Sequence, residues 1–501
     1  MKPRRILLVY PEAPRETYWS FKYALSFIHK KSAMPPLGLV TIASYIPDTY
    51  DVRLVDENIE KLSDKLLSWA DMVFVSAMIV QKDSFKKVVA RAKAAGKTVV
   101  AGGPYPSGSR QEITGVDHFI LGEAEEILPV FFRDLEKGEA KTDYRAENKP
   151  DMATVRIPRF ELLKMNKYAS MSIQYSRGCP FHCEFCDIWK VYGNRPRLKS
   201  AHSMLLEMEK LYSLGWRGAV FMVDDNFIGN RGRVKDELLP AMIEWQKIHR
   251  HPFRFFTEAS INLAEDDALL AAMRDAAFNE VFIGIETPSM EGLAETGKTQ
   301  NLKCDMPSAI KKIQSYGIEV MAGFILGFDS DTEDIAERQI KFIQETGIAR
   351  AMVGLLTALP GTDLFNRLKS EGRLLSASDG NNTSCEAANF VTRQDAGKLR
   401  DGYCKVLNTI YDVNLSNYFE RCNKILDNID TKSLPPRQIR AAEILMLVRS
   451  LARQPFTPYG LSYLKFIGRN MKNFGVFGEA VKFSIVGHHL HTITRRMVQA
   501  H

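Results

Sequence analysis

The sequence predicts an α/β protein in three parts: a first parallel-sheet domain, a partial (β/α)6 barrel, and a mainly helical carboxyl-terminal region. Three observations carry this. Short apolar runs rich in Val, Ile and Phe alternate with helical patterns over residues 1–142. A second alternating series of six runs begins near residue 171. The strand pattern then fades from about 370, and residues 395–501 read mainly as helix. Regular strand–helix alternation produces parallel sheets covered by helices.

In the first part RILLVY (5–10) reads as a buried strand. DVRLVD (51–56), MVFVSA (72–77), TVVAGG (98–103) and HFILG (118–122) follow it. Between them lie helices such as DSFKKVVARAKAAG (83–96), stopped by a glycine. Ligands of such sheets sit at the carboxyl ends of the strands. Ser76, Gly102, Gly103 and Glu123 fall there, although each glycine serves equally as a tight turn. Residues 143–170 are polar with scattered proline and read as a linker. The second part, 171–372, offers SIQYS, GAVFMVDD, RFFTEAS, EVFIGIET, EVMAGFILGF and RAMVGLLT as strands. Helical patterns such as 203–215 and 334–347 separate them. Six units in that length fit a partial barrel better than a closed eightfold one. Residues 373–501 form the third part.

Composition bounds the class. At 45% hydrophobic and 25% charged over 501 residues, the chain is that of a folded protein, not a disordered or repeat one. The start, MKPRRILLVYPEAP, has too short an apolar run for a signal peptide, and no stretch approaches a spanning helix. Seven cysteines argue against a disulfide framework and for a reducing cytoplasm. The charge is uneven: residues 431–501 carry eleven Lys or Arg against Glu443 and Glu479. Such a tail suits an anionic membrane surface, an acidic substrate or nucleic acid, and equally a plain solvated face.

Three of the cysteines lie in SRGCPFHCEFCDIW, spaced C-x3-C-x2-C at Cys179, Cys183 and Cys186. A disulfide, a zinc site and an iron–sulfur cluster are the candidates. Structural zinc takes four ligands, often as two C-x2-C pairs. His182 sits inside the loop, and Cys304, Cys385, Cys404 and Cys422 are scattered without a pairing rhythm, as packed thiols are. Three thiolates on a cubane cluster leave one iron open to a small molecule. The loop follows the first barrel strand, where catalytic groups of barrels belong.

The spacing, the aromatic Phe185 before the last cysteine and this position resemble the radical S-adenosylmethionine (SAM) superfamily. The resemblance implies a [4Fe–4S] cluster on Cys179, Cys183 and Cys186, with SAM on the open iron. It also implies SAM-binding groups at successive strand ends: Asp224, Asp225 and Asn226 in VDDNF, Glu258, Ser260 and Asn262 in TEASINLA, and Glu286 in GIET. Carboxylates and amides suit ribose hydroxyls and an ammonium group. Gly323 and Gly327 of GFILGF resemble the strand that pairs with adenine. Taken singly, each acidic residue also reads as a rim salt bridge. The implied chemistry is SAM cleavage to a radical that takes hydrogen from an unactivated C–H, with the protein excluding water.

MPPLGLVTIASYI, LVDEN, VVAGGPYPS and LGEAEEILP resemble the cobalamin (B12)-binding subclass of that superfamily. Residues 1–142 are then a Rossmann-like, flavodoxin-like B12-binding domain, with Ser76, Gly102, Gly103 and Glu123 as candidate contacts. The D-x-H-x-x-G of mutase-type domains is absent, and His29 and His118 sit in no such pattern. Cobalt then lacks a histidine from this chain, which favours methyl transfer over mutase chemistry. A Rossmann-like domain without corrin is the alternative. The tail resembles a domain of unknown function that hopanoid C-2 methylase also carries, and the chain reads as a relative of that enzyme.

The expectation is therefore a cobalamin-dependent C-methyltransferase acting on an unactivated carbon of a lipid-like or other apolar metabolite. A radical SAM enzyme making C–C bonds, rings or rearrangements, and a cobalamin-binding sensor without turnover, are the alternatives. A zinc-stabilised nucleic-acid binder is disfavoured, because the basic surplus lies far from the cysteines. Expected partners are a small-molecule substrate and an electron donor such as flavodoxin or ferredoxin, and no nucleic acid. The last segment, LKFIGRNMKNFGVFGEAVKFSIVGHHLHTITRRM, reads as an amphipathic helix for peripheral membrane contact. Its His488, His489 and His491 read as a surface cluster. The expected location is the cytoplasm, with peripheral membrane contact through this basic region as the further option.

Overall fold

The computed structural model describes residues 5–376, 378, 380–381, 388–431, 434–435 and 441–499. The chain divides into two compact units. The first is Met1–Arg15, Lys31–Ser176 and Arg197–Arg217; the second is Glu16–Lys30, Arg177–Pro196 and Gly218–His501.

In the first unit, strands β1 (Arg5–Tyr10), β2 (Asp51–Asp56), β3 (Met72–Ser76), β4 (Thr98–Gly102), β5 (His118–Leu121) and β6 (Asp143–Arg145) form one sheet. Its order is β2-β1-β3-β4-β5-β6, and every pair is parallel. The strands are apolar on both faces because both are covered. Leu7, Val9, Val73 and Val75 meet Phe85, Val88 and Val89 of the helix Lys82–Ala94. Ile6, Leu8, Phe74 and Ile120 meet Phe131 and Phe132 of the helix Ile127–Lys137. Truncating a fully buried ring such as Phe85 to Ala would cost about 3–5 kcal/mol. The strand order reverses at β1, so the ligand crevice lies at the carboxyl ends of β1 and β3.

Residues 143–170 are not a linker. β6 pairs with β5 through Phe119↔Asp143 and Ile120↔Tyr144. Tyr144 is buried, and its hydroxyl donates to Asp134 (3.1 Å). Three 3-10 turns follow, Met152–Thr154, Phe160–Leu162 and Met165–Lys167, with Phe160 and Tyr168 fully buried. Large apolar bodies spaced along a polar segment anchor it without giving it a period. β7 (Ser170–Ile173), the first of the six strands read for the barrel, groups with the first unit.

Short strands β8 (Ser176–Arg177) and β9 (Arg197–Leu198) flank the cysteine loop in sequence. The second unit is built on β10 (Gly218–Met222), β11 (Phe253–Ala259), β12 (Phe278–Glu286), β13 (Glu319–Leu326) and β14 (Ala351–Leu355). They run parallel in the order β14-β13-β12-β11-β10. Burial alternates with the strand period of two. Phe255, Val281, Ile283 and Val320 are sealed from solvent, as are Leu269, Leu270 and Met273 on the helix Asp267–Asp275. Their neighbours on the other face, Phe221, Phe256, Phe282, Gly284 and Gly323, keep partial access. This face of the sheet therefore keeps solvent access where the other face has none.

The amino-terminal end of that face is closed by ions. Arg350 forks onto Glu319 (2.6 and 2.7 Å) and also pairs with Glu280. Lys482, on the helix Phe474–Gln499, reaches Glu280 (2.8 Å) and Glu319 (3.2 Å). Arg254 pairs with Glu443 (2.8 Å). Burial raises the Glu280 carboxyl, but Arg350 and Lys482 together hold it well below the ordinary range.

The carboxyl-terminal region is helical, as expected: Ala396–Ile410, Ser416–Asn428, Ala441–Arg453, Gly460–Asn470 and Phe474–Gln499. Two expectations fail there. Among its described residues the last helix presents no open apolar face, because Val481, Phe483, Ile485, Leu490 and Ile493 are buried in the unit. The histidines are not a surface cluster. His489 is fully buried with Nε2 at the Tyr18 carbonyl (3.0 Å), His491 faces the Val413 carbonyl (3.2 Å), and His488 meets the Tyr459 hydroxyl (2.5 Å). Burial pushes all three imidazoles down to about 4, so they are neutral packing groups. Among the described residues no helix is long and apolar enough to cross a membrane. Cys422 is fully buried, Cys304 and Cys404 are half-buried, and Cys385 lies outside the described residues.

Candidate active site

The loop carrying Cys179, Cys183 and Cys186 is held from several sides. The Gly178 N–H donates to the Asp225 carboxylate (3.0 Å), and the Cys179 N–H donates to the Gly193 carbonyl (3.2 Å). The Glu184 N–H donates to the Thr296 carbonyl (3.0 Å), and the Glu184 carbonyl accepts from the Leu364 N–H (3.0 Å). Arg367 forks onto the Glu184 carboxylate (2.6 and 3.1 Å). The loop is thus preorganised by the second unit itself.

All three thiols are free. Burial raises each of them, Cys186 to about 12. His182 packs edge-on against Trp189 (ring centroids 4.8 Å apart). Among the described residues no three His, Cys, Asp or Glu side chains are placed to hold a single metal ion.

Lys298 lies beside the thiols. It pairs with Glu286 (2.5 Å), both groups being nearly buried, and Glu286 and the thiols of Cys183 and Cys186 outweigh burial to raise its ammonium. The pair lies against Gly284. A Cβ there would come within 2.6 Å of the Lys298 ammonium and strike the Glu286 carboxylate. Glu286 itself sits at φ +66°, in the left-handed region. A non-glycine residue in that conformation stores strain of the kind that collects at functional sites. The sequence reading found Glu286 and missed Lys298, which falls in the unremarkable stretch ETGKTQ after a short helix.

The other strand-end residues gather at the carboxyl ends of β10 and β11. The Asn226 amide donates to the Ser260 hydroxyl (3.2 Å), which donates to Asn262 (2.6 Å). The Asn226 carbonyl oxygen is buried without a partner, an acceptor aimed at nothing the chain supplies. Glu258 is pushed up to about 7 by burial, then by Asp225 and Asp224. Asp224 is almost fully buried, and Asp225 is raised by burial although it accepts from Gly178. On the β13 side, the Asp331 carboxylate accepts from the Gly327 and Phe328 N–H groups (2.8 and 3.0 Å) and closes the turn after GFILGF. Burial pushes that carboxyl up to about 6. Phe185 packs near Phe328, centroids 6.4 Å apart. Gly323 faces the Phe282 ring, which a Cβ would meet at 3.0 Å.

In the first unit, Ser76, Gly102 and Gly103 do come together. Gly103 has φ +91°, and a Cβ on it would lie 2.5 Å from the Ser76 hydroxyl. The Ala77 backbone lies 3.2 Å from the same point, so only glycine lets the chain after β4 pack this closely against the end of β3. Glu123 is committed to a nearly buried ion pair with Arg197 (2.6 Å), a partner the sequence reading did not name. His118 lies at the amino-terminal start of β5, on the opposite edge, with Nδ1 at the Lys141 carbonyl (2.6 Å). It is not placed to reach a group in the crevice.

Comparison with known proteins matches the domains in which these residues lie. Residues 27–132 match the B12 binding domain, 173–343 the radical SAM superfamily, and 362–501 a domain of unknown function. The chain is 43% identical to an uncharacterized methyltransferase, sll1242, of Synechocystis, over 81% of this chain and 76% of that protein. It is 38% identical to hopanoid C-2 methylase of Rhodopseudomonas palustris, over 74% of this chain and 71% of that enzyme. In fold it resembles the cobalamin-dependent SAM radical enzyme OxsB, with TM-score 0.63, 15% identity and coverage of 99% and 80%. It also resembles the radical SAM methyltransferase TsrM of Kitasatospora setae, with TM-score 0.62, 13% identity and 99% coverage of both. The [4Fe–4S] cluster, SAM and cobalamin read from the sequence are the cofactors of this group. The chain belongs to the family of cobalamin-dependent radical SAM methyltransferases.

Proposed function

We propose that this enzyme methylates an unactivated carbon of an apolar, ring-bearing small molecule held on the inner face of the barrel strands. One observation carries the reading: that face is an aromatic wall. Phe221 and Phe256 stack with centroids 4.7 Å apart and planes 3° from parallel. Phe282 sits opposite Glu258 in the strand register, and Trp19 packs 5.2 Å from Phe282. These rings keep solvent access while their alternating neighbours are sealed. Apolar surface left wet by the fold is recovered when an apolar ligand covers it.

In this reading Cys179, Cys183 and Cys186 hold the cluster. Asp224, Glu258, Ser260, Asn262 and the unpartnered Asn226 oxygen line the place of the SAM ribose and ammonium. The Glu286–Lys298 pair offers one charge of each sign to the amino-acid end, and Phe185, Gly323 and Gly327 border the adenine. Asp225 positions the cysteine loop through the Gly178 N–H. Ser76, Gly102 and Gly103 cradle cobalamin, and Glu123 supports that edge through Arg197. When bound, these cofactors supply the electron, the hydrogen-abstracting radical and the methyl group. The wall orients one C–H and keeps water from it. The electron donor is a small redox protein of the flavodoxin or ferredoxin type.

The test is a screen of polycyclic apolar and polar acceptors with methyl-labelled SAM. A labelled apolar product supports the reading. Phe256→Ala and Phe282→Ala should then keep SAM cleavage and lose label by about tenfold or more. Label on polar acceptors alone, or both variants methylating like wild type, would overturn it.

A further inference from the structure

We propose that the outer face of the helices Ala441–Arg453 and Gly460–Asn470, with the turn between them, docks this enzyme on an anionic lipid surface. Nineteen large apolar side chains are exposed among the described residues, and eight of them fall within 444–471. Ile444, Val448 and Leu451 are spaced i, i+4, i+7 on one face of the first helix. Leu461 and Leu464 continue the strip on the second. Phe456 stands at the turn between them, 87% exposed.

This face is not an unpacked one. The opposite side of the same helices is tied down inside the unit. Ser450 and Gln454 are fully buried and share hydrogen bonds with Tyr463 and Ser484, and Phe466 and Ile467 are buried beside them. The apolar strip is therefore held outward by the fold.

Charge selects the occupant. Between Glu443 and Glu479 the sequence has five cations and no acidic residue. Arg453, Lys465, Arg469 and Lys472 are exposed around the strip. Arg469 is paired with Asp427 (2.7 Å), Arg449 donates to the Phe27 carbonyl (2.9 Å) and Arg453 donates to the Ser26 hydroxyl (3.3 Å), whereas Lys465 and Lys472 stand exposed beside the strip. Apolar side chains on one face with a lysine-bearing margin make an interfacial anchor, which needs both signals to hold. Protein interfaces deplete lysine instead. The contact is peripheral, since no described helix can span. The surface stands independently of the reaction proposed above.

The test is co-sedimentation of the purified full chain with phosphatidylglycerol-containing and with pure phosphatidylcholine vesicles. Binding should favour the anionic vesicles and weaken in high salt. Phe456→Glu should lower the bound fraction about tenfold, and Lys465→Glu with Lys472→Glu should remove the anionic preference. Both sites are exposed, so melting temperature should match wild type, and SAM cleavage should persist. Wild type that stays in the supernatant, or Phe456→Glu that binds like wild type, would overturn the proposal. So would light scattering that shows a dimer dissolved by Phe456→Glu, which would make the face an interface between two copies.

Discussion

Replacing Arg350 with Met tests whether the ion cluster at the amino-terminal end of the barrel strands fixes the carboxyl-terminal helices in place. Arg350 is 5% exposed and serves Glu319, also 5% exposed, and Glu280. Met keeps most of its volume but leaves both carboxylates to Lys482 alone. Breaking a buried pair from one side costs about 3–5 kcal/mol. The second unit spans about 320 residues, and at roughly 2.1 cal/mol/K per residue this loss lowers its melting temperature by about 5–7 °C. Arg350→Met with Glu319→Gln should recover part of the loss, because it removes an orphaned charge. The pH dependence has a definite sign. Glu280 is held below the ordinary carboxylate range, so its contribution is full above about pH 5 and is lost as pH falls below about 4. The gap between wild type and variant should be widest near neutrality and close in acid. Scanning fluorimetry from about pH 2 to pH 8 reads all of this. A neutral-pH shift below about 2 °C, or a double variant no better than the single, would refute the reasoning.

Cys183→Ala should abolish SAM cleavage and iron retention with little change in the melting temperature of the iron-free protein, measured by product chromatography and fluorimetry. Gly103→Val forces a side chain toward Ser76 at a positive φ, so reconstituted protein should retain less than about half the wild-type cobalt by elemental analysis. Gly284→Ala displaces the Glu286–Lys298 pair and should weaken SAM binding about tenfold or more by equilibrium dialysis. Glu258 titrates near 7, and a bound ammonium would keep it ionised. SAM binding at pH 7 should therefore release about half a proton, falling toward none at pH 8.5, by calorimetry in buffers of different ionisation heat. Glu258→Gln should show no release.

Much of the architecture is legible in the sequence because strands and cysteine spacing are local signals. RILLVY, MVFVSA, EVFIGIET and EVMAGFILGF appear where they were read, within a residue or two at most ends. The cysteine spacing stands out in the sequence by itself, whereas the strand-end carboxylates were singled out through the family resemblance. What escaped is long-range pairing. Lys298 matters through Glu286, Arg197 through Glu123, and Trp19 through Phe282, and no periodicity joins those positions. The segment 143–170 looked like a linker because its anchors, Tyr144, Phe160 and Tyr168, are too sparse to show a period. The last helix looked like a membrane-lying one because its buried side is supplied by residues remote in sequence, including Tyr18 and Tyr418.

Product stoichiometry tests the central claim most directly. The anaerobically reconstituted enzyme, loaded with hydroxocobalamin and given an accepted apolar substrate, reductant and SAM, should release S-adenosylhomocysteine and 5′-deoxyadenosine in equal amounts, one of each per methylated product. Release of 5′-deoxyadenosine without S-adenosylhomocysteine would show that the radical forms and no methyl group moves, and would contradict the account.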